Sequence, residues 1–445
     1  MRRRSGKATA LAVCSLLATA AARADDWTEG YLGVGIGADV LSSDVRGELC
    51  CESISQSGPV GGDLGLSITA GADYQLNSHF VVGAFVSYDW SNIETTATLS
   101  DGFDTISASL LNINQSWTVG GRVGALVTPS TLVYALLGYT WLDLEDISVS
   151  AFGMPATFPL PDANGWTTGL GFEHKLGRGL SVRGEYRYTH FGQETLLDDA
   201  FIGTIKADAG LHNARLVAAY RFGGSDAGNA PDASVPPARF AGGFYLGGGF
   251  GIEALSQDLG LGATFFGGAA GIDGLSTGSF GGTLVAGYDV MIAPRILAGA
   301  FASYDFSTAD SVISASALGL GISASLPSLD DSWTVGARAG WTVTDDSLLY
   351  ALVGYTRVSV NDPTIGAGPI SFAIPFPDLD GVTIGGGFEK LITANLSLRA
   401  EYRYTMLDDE RIDLVPGFLG IGIESALHSA KLTATYRFTA GDYLN

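Results

Sequence analysis

The chain has 445 residues, of which only 16% are charged and 62 are glycine. Its 24 basic and 46 acidic residues give a formal net charge of −22, which excludes the clustered positive charge of a nucleic-acid-binding protein. Beyond residue 24 no apolar run is long enough for a transmembrane helix, so the composition is typical of a soluble β protein or of a membrane β-barrel.

The N-terminus has the pattern of a secretory signal peptide. Basic residues at 2–4 precede a short apolar segment, 8–22, and a small-x-small cleavage site ends at Ala24. We therefore predict a signal peptide at 1–24, cleavage between Ala24 and Asp25, and export of the mature protein.

The strands of the first half are predicted from side chains that alternate in polarity. In the segment 179–191, Val182 and Tyr186 share one face, whereas Arg183 and Glu185 share the other. This alternation is typical of a strand with lipid on one side and a polar lumen on the other. The predicted strands are 29–40, 64–76, 80–92, 114–127, 131–144 (apolar on both faces, so its phase stays open), 165–176, 179–191 and 209–222.

The joints between these strands alternate between short and long. Tight turns are predicted at 77–78, 129–130 and 177–179, whereas the long segments are rich in Gly, Ser, Asp and Pro. Outer-membrane barrels have this pattern, with short turns in the periplasm and long loops outside. The adjacent Cys50 and Cys51 allow only a strained disulfide or pairing with another chain, so their redox state stays open. The predicted extracellular loops are 41–63, 93–113, 145–164 and 192–208.

The second half of the chain repeats the first. The segment 116–120 recurs at 332–336, and the segment 212–222 recurs with substitutions at 428–438, both at an offset of 216 residues. A repeat of this length copies a whole domain rather than a solenoid unit. The predicted domains are 25–223 (first barrel), 224–239 (a linker rich in Pro, Ala and Gly) and 240–445 (second barrel). The strands of the second copy are predicted near 243–253, 280–292, 295–307, 330–343, 347–360, 381–391, 395–407 and 424–438.

The inward faces of the predicted strands carry charges of both signs, nearly balanced within each copy. Because an unpaired buried charge is costly, such charges must pair inside a narrow barrel. An eight-stranded barrel is filled by its own side chains, so the fold prediction is all-β, with two tandem eight-stranded, antiparallel up-and-down transmembrane barrels. A single sixteen-stranded barrel is the alternative, in which the same charges would line an aqueous path. The predicted lumenal network comprises Asp73, Asp89, Arg122, Glu173, Lys175, Arg183, Glu185, Arg187, Arg215, Asp289, Asp305, Arg338, Glu389, Arg399, Glu401, Arg403 and Lys431.

Five short motifs lie at 31–35, 83–89, 116–120, 183–188 and 220–222. They resemble those of small outer-membrane β-barrel proteins of Gram-negative bacteria, above all the rhizobial-type outer-membrane immunogenic proteins, which are related in architecture to outer-membrane proteins A and X. The resemblance covers each copy almost end to end. It implies a place in the outer membrane, among its lipid and lipopolysaccharide, and recognition by the barrel-assembly machinery. The residues that would carry this assembly signal are Tyr220, Phe222, Tyr436 and Phe438.

The predicted function is a structural or surface-interaction role, exercised through long acidic extracellular loops and an unknown surface partner. A passive porin-like channel is the alternative if the copies merge into one sixteen-stranded barrel, and an outer-membrane adhesin or enzyme is a third alternative. Of the five histidines, only His212 and His428 match between the copies, and their phase faces lipid. We therefore predict no catalytic residue, no cofactor and no metal.

Overall fold

The structure is a computed structural model of the chain. The predicted cleavage site at Ala24 and Asp25, the adjacent Cys50 and Cys51, and the linker segment 224–238 lie outside the described residues. Over the part that is described, no helix is both long and apolar enough to cross a membrane. The described residues are 27–49, 52–100, 105–151, 154–160, 162–199, 203–223, 239–263, 268–307, 312–317, 320–325, 328–367, 370–415 and 419–438.

The regular structure of these residues consists of β-strands. The strands of the first half are β1 Gly30–Leu49, β2 Glu52–Gln75, β3 Phe80–Ser100, β4 Thr105–Thr128, β5 Thr131–Leu144, β6 Ile147–Ala151, β7 Met154–Phe158, β8 Ala163–Gly177, β9 Leu180–Asp199 and β10 Gly203–Phe222. Those of the second half are β11 Gly243–Ala263, β12 Gly268–Ala293, β13 Ile296–Ser307, β14 Val312–Ala317, β15 Leu320–Ser325, β16 Leu329–Thr344, β17 Ser347–Val360, β18 Thr364–Ala367, β19 Ile370–Ala373, β20 Leu379–Leu391, β21 Leu396–Leu407, β22 Glu410–Val415 and β23 Leu419–Phe438.

Each half closes into its own antiparallel barrel. In the first half β1 pairs with both β2 and β10, and Tyr31 lies opposite Arg221 across the closing seam. The order around this barrel is β1, β2, β3, β4, β5, β8, β9, β10. In the second half β11 closes on β23, with Tyr245 opposite Arg437, in the order β11, β12, β13, β16, β17, β20, β21, β23. The prediction of two tandem eight-stranded barrels is therefore confirmed, and the single sixteen-stranded barrel is wrong.

The wall of each barrel has the two unlike faces that the period-two pattern predicts. On β1, Leu32 and Val34 point outward and are exposed, whereas the neighbouring Tyr31 points inward and is buried. About ten residues separate the outward aromatic rings of Phe80 and Trp90 on β3, which is the length of a membrane-spanning strand. Exposed aromatic residues form girdles at the two rims of the first barrel: Trp90, Trp117, Trp141 and Trp166 at one rim, and Tyr74, Phe80, Tyr220 and Phe222 at the other.

The structure also decides the phase of β5, which the sequence left open. Leu132, Tyr134 and Leu136 point into the lumen and are buried, whereas Val133 and Leu137 face outward and are exposed. The inward side chains pack in one cluster with lumenal aromatic rings from β1 and β3, so apolar groups fill part of the first lumen.

The predicted extracellular loops consist largely of continued β-structure in the residues that the structure describes. β1 and β2 continue as a hairpin from the barrel to Leu49 and Glu52, with one register shift at Leu41/Ser42. Most of the segment 145–164 belongs to the short hairpin β6–β7 and the start of β8. The Gly, Ser, Asp and Pro content suggested loops, but a strand that leaves the membrane still needs partners for its N–H and C=O groups, and pairing in a hairpin supplies them.

Candidate functional site: the charged lumens

The alternation of β9 delivers charged side chains to the lumen of the first barrel. Ser181, Arg183, Glu185, Arg187 and Thr189 lie at every second position and are at most 2% exposed. A run of this kind is stable only if neighbouring strands supply counter-charges and hydrogen-bond partners, because the lumen removes water from these groups.

The first cluster of charges surrounds Glu173 on β8. Its carboxylate accepts contacts from Arg122 at 2.9 Å, Arg183 at 3.1 Å and Arg221 at 2.6 Å. Arg122 and Arg221 also contact the Asp73 carboxylate at 2.5 and 2.6 Å, so two acids and three arginines share one network. Bidentate, charge-assisted contacts of this length are among the strongest polar interactions in proteins.

A second cluster lies further along the same lumen. The Arg187 Nε donates to Glu185 at 2.6 Å, and the Tyr134 hydroxyl donates to the other Glu185 oxygen at 2.6 Å. Asp89 contacts Arg215 and lies 3.9 Å from Arg187, so the two acids are bridged by arginine. Acidic and basic side chains therefore alternate through this cluster, in the order Arg215, Asp89, Arg187, Glu185.

The second lumen repeats the first cluster with equivalent residues. Arg338 contacts Asp289 at 2.6 Å and Glu389 at 2.9 Å, and Arg437 reaches the same two carboxylates at 2.7 and 3.3 Å. Arg399 differs from its counterpart because it contacts Glu401, at 2.6 Å, rather than the acid on the neighbouring strand.

The second cluster of this lumen contains different residue types from that of the first barrel, but each acidic side chain still contacts a basic one. Lys431 occupies the place of an arginine and contacts Asp305 at 2.6 Å and Glu253 at 3.4 Å. Arg403 donates to Glu401 at 2.6 Å and to the Ser303 hydroxyl at 2.7 Å. The charge of each partner is therefore still compensated inside the barrel.

Aromatic rings occupy the space between the charged groups. The Tyr31 ring lies 4.8 Å from the guanidinium carbon of Arg122, 4.6 Å from that of Arg183 and 5.4 Å from that of Arg221. Tyr245 holds the equivalent place in the second barrel, with Arg338 at 4.6 Å. These distances are typical of cation–π contacts, which are strongest where water is excluded.

The structure brings the sequence-predicted charges together inside the two lumens. All of them are buried except Lys175, which is half-buried and lies 3.0 Å from Glu29 near the end of the first barrel. The buried members are Asp73, Asp89, Arg122, Glu173, Arg183, Glu185, Arg187, Arg215, Asp289, Asp305, Arg338, Glu389, Arg399, Glu401, Arg403 and Lys431.

The predicted set omitted lumenal charges at strand ends. Arg221 is central to the network of the first barrel and Arg437 to that of the second, yet neither was included in the predicted set. Asp39 and Glu253 are also buried, on the glycine-rich strands β1 and β11, and neither was in the predicted set. The two-residue period of a strand predicts that Arg221 faces the lumen, because it lies an even number of residues after Arg215 on the same strand.

The predicted assembly residues lie on the outer surface. Tyr220, Phe222 and Tyr436 are exposed and Phe438 is half-buried. They share the outward phase of the closing strands β10 and β23, so they contribute to the aromatic rim rather than to the lumen.

Little free space remains around the second charge cluster of the second lumen. Beside Glu253, Asp305 and Lys431, the cavity measures about 10 Å³, which is roughly the space that one water molecule requires. No group of three or more His, Cys, Asp or Glu able to hold a metal ion occurs among the described residues. The arrangement is chemically suited to holding the barrel wall together.

Comparisons with known proteins agree with this architecture. The family model for the outer membrane protein beta-barrel domain matches residues 9–222 and again residues 228–438. The 31 kDa outer-membrane immunogenic proteins of Brucella melitensis biotype 1 and Brucella suis biovar 1 are each 26% identical over 214 residues, covering 44% of this chain and 84% of the relative.

The comparison with solved structures found, among others, the Pseudomonas putida toluene transporter TodX. It is 13% identical, with a TM-score of 0.30, over 92% of this chain and 90% of TodX. Ail, the attachment invasion locus protein of Yersinia pestis, is 14% identical, with a TM-score of 0.25, over 45% of this chain and 100% of Ail.

Proposed function

The chain belongs to the outer membrane protein beta-barrel domain family, of which it contains two copies, and we propose that it is a non-conducting pair of barrels that presents β-structure outside the cell. In this function the barrels are anchors, and the hairpins above the membrane make contact with an external partner. The role is structural and surface-interacting.

The filling of the lumens carries this proposal. Glu173 and Asp289 are fully buried, and each contacts at least two arginines. A porin needs a wider barrel whose polar side chains are solvated. Two eight-stranded walls that bury paired ions and aromatic rings favour an anchor over a pore.

The hairpins that extend beyond the aromatic rim support the surface role. Asp44, Glu48 and Glu94 are exposed on the extensions of β1 and β3. With a net charge of −22 over the whole chain, this surface favours a partner that offers basic or hydrogen-bond-donating groups.

Planar-bilayer recording tests the non-conducting anchor. We expect the reconstituted full chain to produce no steady current steps, because the lumenal charges are buried and paired with one another. Heat-modifiable mobility of the same preparation serves as the control that both barrels are folded. Large, steady steps from folded protein would contradict the proposal and favour a channel.

Trimming the extracellular hairpins tests the surface role separately. A variant in which residues 44–57 are replaced by a two-residue Asn-Gly turn joins the paired residues Ser43 and Gly58 and keeps the membrane-spanning parts of β1 and β2. We expect cells that display this variant to adhere to a test surface several-fold less well than cells that display the full chain at equal surface abundance. Unchanged adherence would remove the surface role while leaving the anchor intact.

Recognition by the barrel-assembly machinery is proposed for both closing strands. Because each barrel closes on its own Tyr-Arg-Phe strand, we expect Phe222→Ala and Phe438→Ala each to lower the amount of folded chain in the outer membrane several-fold. The matched control is Phe80→Ala, an outward aromatic residue at the same rim that is similarly exposed (50% against 52% for Phe222). Quantification of heat-modifiable protein in isolated outer membranes gives the result, and equal yields from all three variants would contradict assembly recognition.

Export and membrane contact complete the proposal. Cleavage after Ala24 predicts a mature N-terminus at Asp25, which N-terminal sequencing of the purified protein checks. The outward apolar faces, such as Leu32 and Val34, are proposed to contact lipid. The tryptophan rim, which lies on the side of the hairpins, is proposed to reach lipopolysaccharide.

A further inference from the structure

The two barrels touch through a surface that each contributes from equivalent positions. We infer that they form a self-complementary pair about a pseudo-twofold axis, and that this interface, rather than the linker, holds them together. An interface in which residue i contacts residue j, and the equivalent of j contacts the equivalent of i, is the isologous type found in twofold dimers.

Reciprocal strand pairing is the first sign of this symmetry. Outside the membrane, β3 of the first half pairs with β12 of the second, with Ser100 opposite Ala269. The converse pairing also occurs, because β14 pairs with β2 and places Ser316 opposite Ser53. Position 316 is the equivalent of 100, and 269 is the equivalent of 53, at the offset of 216. The two registers are therefore related by a twofold operation.

The apolar centre of the interface has the same symmetry. Gly184 and Ala400 are equivalent residues, and a Cβ atom on Gly184 would lie 2.6 Å from the Ala400 Cβ. Phe172 and Phe388, also equivalent, belong with Ala400 to one buried cluster although their strand phase is outward. Small residues on the axis let the two walls approach closely, and the rings close the space around them.

A second pair of small residues lies further toward the hairpins. A Cβ atom on Gly278 would overlap the side chain of Val40 in the first barrel. The equivalent Gly62 would place its Cβ atom 2.8 Å from the Cβ of Ala254 in the second barrel. Val40 lies opposite Gly62 on β1 as Ala254 lies opposite Gly278 on β11, so the two occupy equivalent places, and both are buried despite facing outward.

Polar contacts join the two barrels at the same level. The hydroxyl oxygens of Ser55 and Ser314 lie 2.7 Å apart, and the His428 Nε2 lies 3.2 Å from an Asp63 oxygen. His212, the counterpart of His428, instead stacks on Phe280 of the second barrel. Both histidines, predicted to face lipid, thus have the outward phase but contact the opposite barrel.

The physical consequence is that the pair does not need a covalent connection once it has formed. Apolar packing, close approach at small residues and backbone pairing between hairpins all act across the interface, whereas the linker adds only effective concentration. Separation would expose unpaired strand edges and leave polar contacts such as Ser55–Ser314 without their partners.

Cleavage of the linker in the folded full chain tests the inference. With a protease site inserted within 224–238, we expect the cut protein in a mild non-ionic detergent to elute as one particle containing both halves. The double variant Gly278→Leu/Ala400→Leu should release the halves after the same cut, because leucine does not fit at either position. The matched control is Gly121→Leu, whose Cβ position faces outward with its nearest neighbour at 3.4 Å, and it should keep the halves together.

Folding and association are read separately in this experiment. Heat-modifiable mobility of each half reports whether its barrel is folded, so release of folded halves by the double variant supports the interface. If the two halves of the natural sequence came apart after cleavage as readily as those of the double variant, the inference would be overturned.

A cysteine cross-link tests the hairpin contact in isolated outer membranes. In a background with Cys50→Ser and Cys51→Ser, the pair Ser55→Cys/Ser314→Cys should form an intramolecular disulfide that shifts mobility on a denaturing, non-reducing gel. Each single-cysteine variant is the control and should show no shift. An unshifted double variant after oxidation would contradict the paired hairpins.

Discussion

Replacing Glu173 by glutamine is expected to lower the free energy of unfolding of the first barrel by about 3–5 kcal/mol. The Glu173 side chain is fully buried and lies within 3.1 Å of Arg122, Arg183 and Arg221. Glutamine keeps the shape of the side chain but removes its charge, which leaves an excess of buried positive charge. Urea unfolding in detergent micelles, followed by tryptophan fluorescence and by heat-modifiable mobility, measures the loss.

The matched control for this change is Arg357→Ala in the second barrel. It breaks the ion pair with Asp378, at 3.3 Å, whose side chains are 44% and 45% exposed. An exposed pair contributes about 0–1 kcal/mol, so the urea midpoint should hardly move. Glu389→Gln removes the equivalent buried carboxylate of the second barrel and should have an effect of the same order as Glu173→Gln. If the urea midpoints of both glutamine variants differed from that of the natural protein as little as the midpoint of Arg357→Ala does, a tightly paired lumen would be contradicted.

Replacing Gly37 by valine is expected to prevent closure of the first barrel. Gly37 lies opposite Arg215 on the seam between β1 and β10. A Cβ atom on Gly37 would overlap the carbonyl oxygen of Ala214 and lie 2.8 Å from the Cα of Arg215. Overpacking costs about 1–3 kcal/mol, and more where backbone rather than a flexible side chain has to move. The amount of folded, heat-modifiable chain in the outer membrane should fall sharply.

Gly121→Val controls for the general effect of placing a branched residue on a barrel strand. Gly121 faces outward on β4, and its Cβ position has only one neighbour, the Gly83 carbonyl oxygen at 3.4 Å. Valine is favoured in strands, so this variant should reach the outer membrane at the level of the natural protein. If Gly37→Val accumulated to the same level as Gly121→Val, close approach at the seam could not be the reason for the glycine.

The fold could be predicted from sequence because its principal signal is local. The alternation of Arg183, Glu185 and Arg187 with outward apolar residues depends only on the two-residue period of a strand, so it specifies which side chains face the lumen. The sequence does not show which acidic side chain pairs with which basic one. Asp73 and Arg122 lie 49 residues apart and meet through a register that no short segment encodes.

The errors of sequence reasoning also have physical causes. The hairpin extensions were predicted as loops because Gly and Ser signal turns, although the backbone N–H and C=O groups of these segments pair as strands beyond the barrel. Arg221 was left out of the predicted network although it shares the inward face of Arg215, and it contacts both Asp73 and Glu173.

By itself, the sequence determined the duplication, the strand class and, wherever polar and apolar residues alternate, the face on which each side chain lies, since repetition and alternation are properties of the chain alone. Tertiary structure decided the rest: where each wall closes, which arginine meets which carboxylate, and that Gly184 faces Ala400 across the space between two barrels. These features depend on register and on contacts between segments distant in sequence, where a shift of one residue would reverse every face.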